Sequence, residues 1–172
     1  NTGMLVRTFA AWVVPLIFTA PLFTQDIYSY LAQGAIVGRG MDPYLAGPVD
    51  MLGADDPLAR SVPFVWSHSP SPYGPTAMTV AWGIYAIAGN DVLSSVFLHR
   101  AVSVVSLYVV AWALVKLAQR CGVSPQFALW LGVLNPLTLL HLVGGVHNES
   151  LLLALLLTGV ELCLRALHGP AE

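Results

Sequence analysis

The chain has 172 residues, 56% of them hydrophobic and 9% charged, with a mean hydropathy of +0.72 and a formal net charge of −2. A soluble domain carries about 25% charged residues, so this chain lacks the charge to solvate a globule of its size and reads as an integral membrane protein. The slight negative balance points away from nucleic acid, and Cys121 and Cys163 have no metal or redox spacing, which makes them two buried thiols.

The chain begins at Asn1 without an initiator Met, which predicts a piece of a longer protein. Residues 4–23 are apolar over about 30 Å of helix, one hydrocarbon core thick, and form a first span. Arg7 is the only charge in it, Pro15 predicts a kink, and no small-residue site marks a cleavable leader. Residues 24–91 then read as a polar outer loop, whose stretch 24–75 holds five of the nine acids. Within it, Ile27, Tyr28, Leu31 and Ala35 recur at helical spacing, predicting a helix over 26–37 that lies along the membrane surface. Thr24 is placed to cap it, and Gly38 and Gly40 to stop it.

Asp42-Pro43-Tyr44 is a turn signal, and the proline-rich stretch 45–75 predicts irregular structure. The apolar run 76–88 is short for a span and suits an interfacial or re-entrant helix, broken at Gly89-Asn90-Asp91. Three further spans follow over 92–118, 126–143 and 151–167, the second of them kinked at Asn135-Pro136. The predicted fold is all-α, with about four membrane spans plus surface or re-entrant helices in the first outer loop. If 76–88 does not cross, Arg7, Lys116, Arg120 and Arg165 share one side, as the positive-inside rule favours. The 24–91 loop and the turn at 144–150 then face outward together.

Several residues in these loops are suited to chemistry. Asp26 follows a membrane exit, where the dielectric falls steeply; it reads equally as a base or as an acid meeting a helix dipole. His68 and Tyr73 flank a rigid proline-rich turn, where they serve as positioned donors or as part of an interfacial aromatic belt. Gly144-Gly145-Val146-His147-Asn148-Glu149-Ser150 sets donors and a carboxylate at a helix start, a place for phosphate, although Asn148 or Ser150 also suits a simple cap. As metal ligands Asp26, His147 and Glu149 have no close spacing. Arg100 lies about 12 Å along an apolar helix, where a charge faces a cavity, a partner or a lipid phosphate. His99 beside it reads as packing, and Glu161 with Arg165 as a local i,i+4 pair.

Five segments in order, Asp26-Ile27-Tyr28-Ser29-Tyr30, Gly40-Met41-Asp42-Pro43-Tyr44, Pro70-Ser71-Pro72-Tyr73-Gly74-Pro75, Leu134-Asn135-Pro136 and Gly144-Gly145-Val146-His147-Asn148-Glu149, carry a resemblance. Together they resemble the N-terminal part of the actinobacterial polyprenol-phosphomannose-dependent α-1,6-mannosyltransferases, of the GT-C class of multispanning glycosyltransferases. The likeness covers nearly the whole chain. It implies a plasma-membrane enzyme whose site lies on the extracytoplasmic face. Such an enzyme takes mannose from a polyprenyl phosphate and extends an α-1,6-mannan of the lipomannan and lipoarabinomannan type.

The resemblance also implies roles. Asp26 matches the essential acid of the first outer loop and becomes the general base. Tyr28, His68, Tyr73, Arg100, His147, Asn148 and Glu149 become substrate contacts. The family's His-Asn-Asp stands here as His147-Asn148-Glu149, one methylene longer at the acid. No metal ligand is assigned; some enzymes of this class use a divalent metal and others do not. The rival readings are a transporter or flippase for a lipid-linked sugar and a non-catalytic membrane subunit that binds a partner through residues 24–75.

Overall fold

A computed structural model describes residues 2–169, and among them every regular element is helical. The elements are α1 (Thr2–Ile17), α2 (Asp26–Gly38), α3 (Pro48–Leu52), α4 (Pro57–Ser61), α5 (Phe64–Ser67), α6 (Pro75–Ala88), α7 (Val92–Arg120), α8 (Pro125–Gly132), α9 (Pro136–Thr138), a π-helical turn over Leu139–Gly144, and α10 (Glu149–His168). The chain divides into two compact units, one of Asn1–Leu22 with Ala101–Glu172 and the other of Phe23–Arg100.

Among the described residues, α7 and α10 are long and apolar enough to cross a membrane. The pair 125–132 and 136–144, bent by 49°, is a third candidate if it counts as one broken span. The bend falls where Pro136 breaks the helical ladder and Asn135 caps the new start, its Oδ1 accepting from the Leu137 N–H at 2.9 Å. α1 ends at Ile17 rather than continuing to residue 23, so its 16 residues reach about 24 Å. Pro21 disfavours helix at the residue before it, and the Thr19 hydroxyl donates to the Leu16 carbonyl at 3.0 Å, closing the end.

The unit containing α1 buries Leu5, Phe9 and Val13 against Leu107, Val110, Val133, Leu134, Leu139 and Val143. Glu161 does not pair with Arg165. It takes a two-pronged contact from Arg120 of α7, at 2.6 Å from Nε and 2.8 Å from Nη2, and Arg120 also donates to the Gly169 carbonyl. A planar guanidinium matches a carboxylate in this forked way better than a neighbour one helical turn along. Cys121 and Cys163 are free and exposed, not buried.

In the other unit, α2 is the central helix: nine of its thirteen residues are buried. Its close partner is α6. A Cβ at Gly34 would stand 2.4 Å from the Ala81 carbonyl oxygen, so only glycine permits this approach. Gln25 rather than Thr24 occupies the N-cap position, while the Thr24 hydroxyl accepts from the Asp26 N–H at 3.2 Å. The stretch 45–75 is not irregular but holds three short helices. Pro48 and Pro57 each sit in the first turn, where a proline lacks nothing the helix needs, so they start helices instead of breaking them. Arg39, just past α2, gathers this unit's far end. Its guanidinium meets Asp56 at 2.7 Å, the Tyr85 hydroxyl at 3.3 Å and Asn90 at 3.1 Å.

Candidate active-site cleft

The residues of α2 at helical spacings 26, 29, 30 and 33 share one face, and they line a cleft of about 110 Å³. Trp66 from α5 and Ser69, Pro70, Pro72 and Tyr73 from the following loop close its other side. The cleft thus pairs a carboxylate with three aromatic rings. Asp26 stands at the first position of α2, where the free N–H groups favour an anion. Its Oδ1 accepts the Trp66 indole N–H at 2.8 Å. The Tyr73 hydroxyl donates to that of Tyr30 at 3.3 Å, and their rings meet edge to face at 5.2 Å.

The proline-rich loop is fixed by specific bonds. The Ser71 N–H donates to the Pro43 carbonyl at 2.8 Å, and the Tyr44 hydroxyl to the Tyr73 carbonyl at 2.9 Å. The Ser71 hydroxyl donates to Gln33 Oε1 at 3.2 Å, joining the loop to α2. The Asp42-Pro43-Tyr44 turn is therefore one rim of the same construction. Ser29 Oγ is buried in the cleft wall and has no hydrogen-bond partner among the described residues.

Of the residues expected to carry chemistry, Asp26 and Tyr73 come together in this cleft. His68 does not line it; its Nδ1 lies 2.9 Å from Asp50 Oδ1, with both side chains exposed. A carboxylate on one ring nitrogen fixes the tautomer and leaves the other nitrogen outward. Gly47 makes that placement possible, because a Cβ there would stand 2.4 Å from the His68 Cα. Tyr28 is half-buried and lies within electrostatic reach of Arg100, which at 1% exposure is the largest fully buried side chain among the described residues. His99 is packed as expected, its Nδ1 2.9 Å from the Ser95 carbonyl and its ring beside Tyr30.

His147, Asn148 and Glu149 belong to the other unit. Asn148 holds the N-cap position of α10 without a side-chain cap bond, and Glu149 lies in the first turn. The Ser150 hydroxyl does not cap the helix but donates to the His147 carbonyl at 3.0 Å. His141 stacks on His147 with ring centroids 3.9 Å apart.

Three contributors were not singled out from the sequence. Trp66 had an audible signal, an aromatic in a rigid polar loop. Asp50 had none, since its pairing with His68 depends on the fold. His141 was hidden inside an apolar run, although its spacing to His147 was countable.

Outside the membrane candidates, the charged groups that bear on this unit's integrity are Arg39 and Asp56. Hydrogen bonding to Tyr85, then to Asp56, holds Arg39 above its ordinary range. Burial pushes Asp56 upward, but the bonds from Arg39 and from the Leu58 and Ala59 N–H groups outweigh it and hold the carboxyl below its ordinary value.

Among the described residues, the fold and cleft together define an all-helical protein with two to three candidate membrane spans and an aromatic-walled carboxylate site. Residues 1–171 match a family of known proteins, and the chain belongs to that family, described as alpha-(1->6)-mannopyranosyltransferase, N-terminal domain. It is 54% identical to alpha-(1->6)-mannopyranosyltransferase B of Corynebacterium glutamicum, over 99% of this chain and 30% of that protein. A probable alpha-(1->6)-mannopyranosyltransferase of Mycolicibacterium smegmatis is 44% identical, over 98% of this chain and 30% of the relative. Alpha-(1->6)-mannopyranosyltransferase A of Mycobacterium tuberculosis is 42% identical, over 90% and 30% respectively. The chain thus spans about a third of the length of these curated relatives. No solved structure matches it.

Proposed function

We propose that this chain is the N-terminal part of a membrane mannosyltransferase of the GT-C class, with four spans in this part, and that the cleft at Asp26 is where an acceptor hydroxyl is activated. The donor is a polyprenyl-phosphate mannose and the acceptor an α-1,6-mannan, presented on the extracytoplasmic face of the plasma membrane. The observation that carries this reading is the position of Asp26: a carboxylate oriented by an indole donor, in a cleft with Tyr30, Trp66 and Tyr73 as walls. Flat aromatic faces with polar rims suit the alternating apolar and hydroxylated faces of a sugar ring.

The step balances as follows. The acceptor O–H gives its proton to the Asp26 carboxylate while its oxygen forms a bond to the anomeric carbon. The bond from that carbon to the phosphate oxygen breaks on the opposite side, so a β-linked donor gives an α product. The electron pair leaves with the polyprenyl phosphate, whose charge needs a cationic or N–H partner; Arg100 is the cation of this unit assigned to it. Tyr28, Tyr73 and His68, held by Asp50, are assigned to orienting the sugars.

The test is transfer of labelled mannose from polyprenyl-phosphate mannose by membranes containing the full-length protein. Asp26→Asn keeps the size and an acceptor for the Trp66 indole but removes the base, and the rate falls by about 10²- to 10⁴-fold with expression and thermal midpoint unchanged. An unchanged rate in a folded Asp26→Asn protein overturns the assignment.

A further inference from the structure

We propose that His141, His147 and Glu149 form a binding site for a divalent transition metal ion of the zinc class. Each offers one ligand atom, and these atoms all lie within 4.8 Å of one another. Two imidazoles and a carboxylate are a donor set that zinc takes at three protein ligands, leaving a further position for an oxygen ligand.

The separation of one pair is the sharpest argument. His147 Nδ1 stands 3.4 Å from Glu149 Oε2. A direct charge-assisted hydrogen bond closes to about 2.7–2.9 Å. Two ligands on one tetrahedral ion, with bonds of about 2.0–2.1 Å, stand roughly 3.4 Å apart. The pair therefore has the spacing of two ligands sharing an ion. His141, stacked on His147 with ring centroids 3.9 Å apart, turns out of that stack to bring a ring nitrogen from at most 4.8 Å to that same edge.

The backbone is shaped to bring the three together. His141 rides on the π-helical turn Leu139–Gly144, an irregularity that recurs at functional sites. Val146 then takes φ = 57°, a conformation costly for a β-branched residue, immediately before His147. Gly145 leaves room for the rings: a Cβ there would stand 2.9 Å from His147 Cδ2 and 2.7 Å from the His141 carbonyl oxygen. Glu149, in the first turn of α10, sits where the helix favours a carboxylate. His147 is 9% exposed, while the side chain of Glu149 is 49% exposed, so one wall is fixed and the mouth is open to an ion.

This inference lies within one unit and does not depend on the transferase reading. Its test is Zn²⁺ and Co²⁺ titration of the purified full-length protein after chelator treatment, with the visible Co²⁺ spectrum as a second readout. One equivalent is expected, with a Co²⁺ band characteristic of a low-coordinate nitrogen–oxygen site. His141→Ala and Glu149→Gln each weaken binding by at least tenfold, Glu149→Asp falls between, and His168→Gln, at the far end of α10, binds as the parent does. Thermal midpoints without metal confirm that the variants are folded; Glu149→Gln, at an exposed position, keeps the test available if His141→Ala does not fold. Absence of binding by the parent, or equal affinity across parent and variants, overturns the proposal.

Discussion

The contact of α2 with α6 fixes the cleft wall, and Gly34→Ala tests it. The added Cβ would stand 2.4 Å from the Ala81 carbonyl oxygen, against an ordinary contact of 3.4 Å or more, so the two helices must part by 1.0 Å (3.4 − 2.4) or bend. Overpacking of this kind costs about 1–3 kcal/mol. Removing a helical glycine returns about 0.8–1 kcal/mol, leaving a net loss of up to about 2 kcal/mol, the difference of those two terms. Gly83 on α6 is the matched control: a Cβ there meets nothing within 4 Å, so Gly83→Ala gains up to about 1 kcal/mol. Hydrogen exchange of α2 amides, with the thermal midpoint of the full-length protein, reads both. Exchange in α2 accelerates by up to about 30-fold in Gly34→Ala and slows in Gly83→Ala. Equal shifts in the same direction for the two variants refute the reasoning.

Two further outcomes follow from the ion pairs. The folded-state value of Asp56 lies below its ordinary 3.8, so its stabilising effect is full above pH 3.8 and is lost as pH falls through the lower folded value. Asp56→Asn, which can still cap α4, lowers stability at neutral pH and flattens the acid limb of a stability–pH profile; an unchanged acid limb contradicts this. Glu161→Gln breaks the forked contact with Arg120 and lowers the thermal midpoint more than Arg165→Gln does, and the reverse order in a melting experiment contradicts the pairing seen here.

The long elements were legible because their punctuation is local. Pro75 and Gly89 bracket α6, and Gly122 follows the end of α7, each at a position where the residue's own backbone preference decides. The stretch 45–75 was not legible, because a proline's role depends on whether it falls in a helix's first turn or its interior. Periodicity picked out the face of α2 with Ile27, Tyr28, Leu31 and Ala35, yet the cleft is lined by the adjoining face at 26, 29, 30 and 33. With α2 buried on most sides, apolar spacing no longer distinguishes a core face from a functional one. The misassigned partner of Glu161 has the same origin: a local i,i+4 rule competed with an arginine 41 residues away and lost on geometry. His68 with Asp50 likewise required the fold to bring separated residues together.

The clasp formed by Ser71 on Pro43 and by Tyr44 on Tyr73 has a practical consequence. Because both ends of the excursion are tied beside the cleft, its exposed tip at Gly53-Ala54-Asp55 is mechanically insulated from Asp26. That tip is the natural place for an epitope or a dye, giving a handle on this unit that leaves the cleft undisturbed.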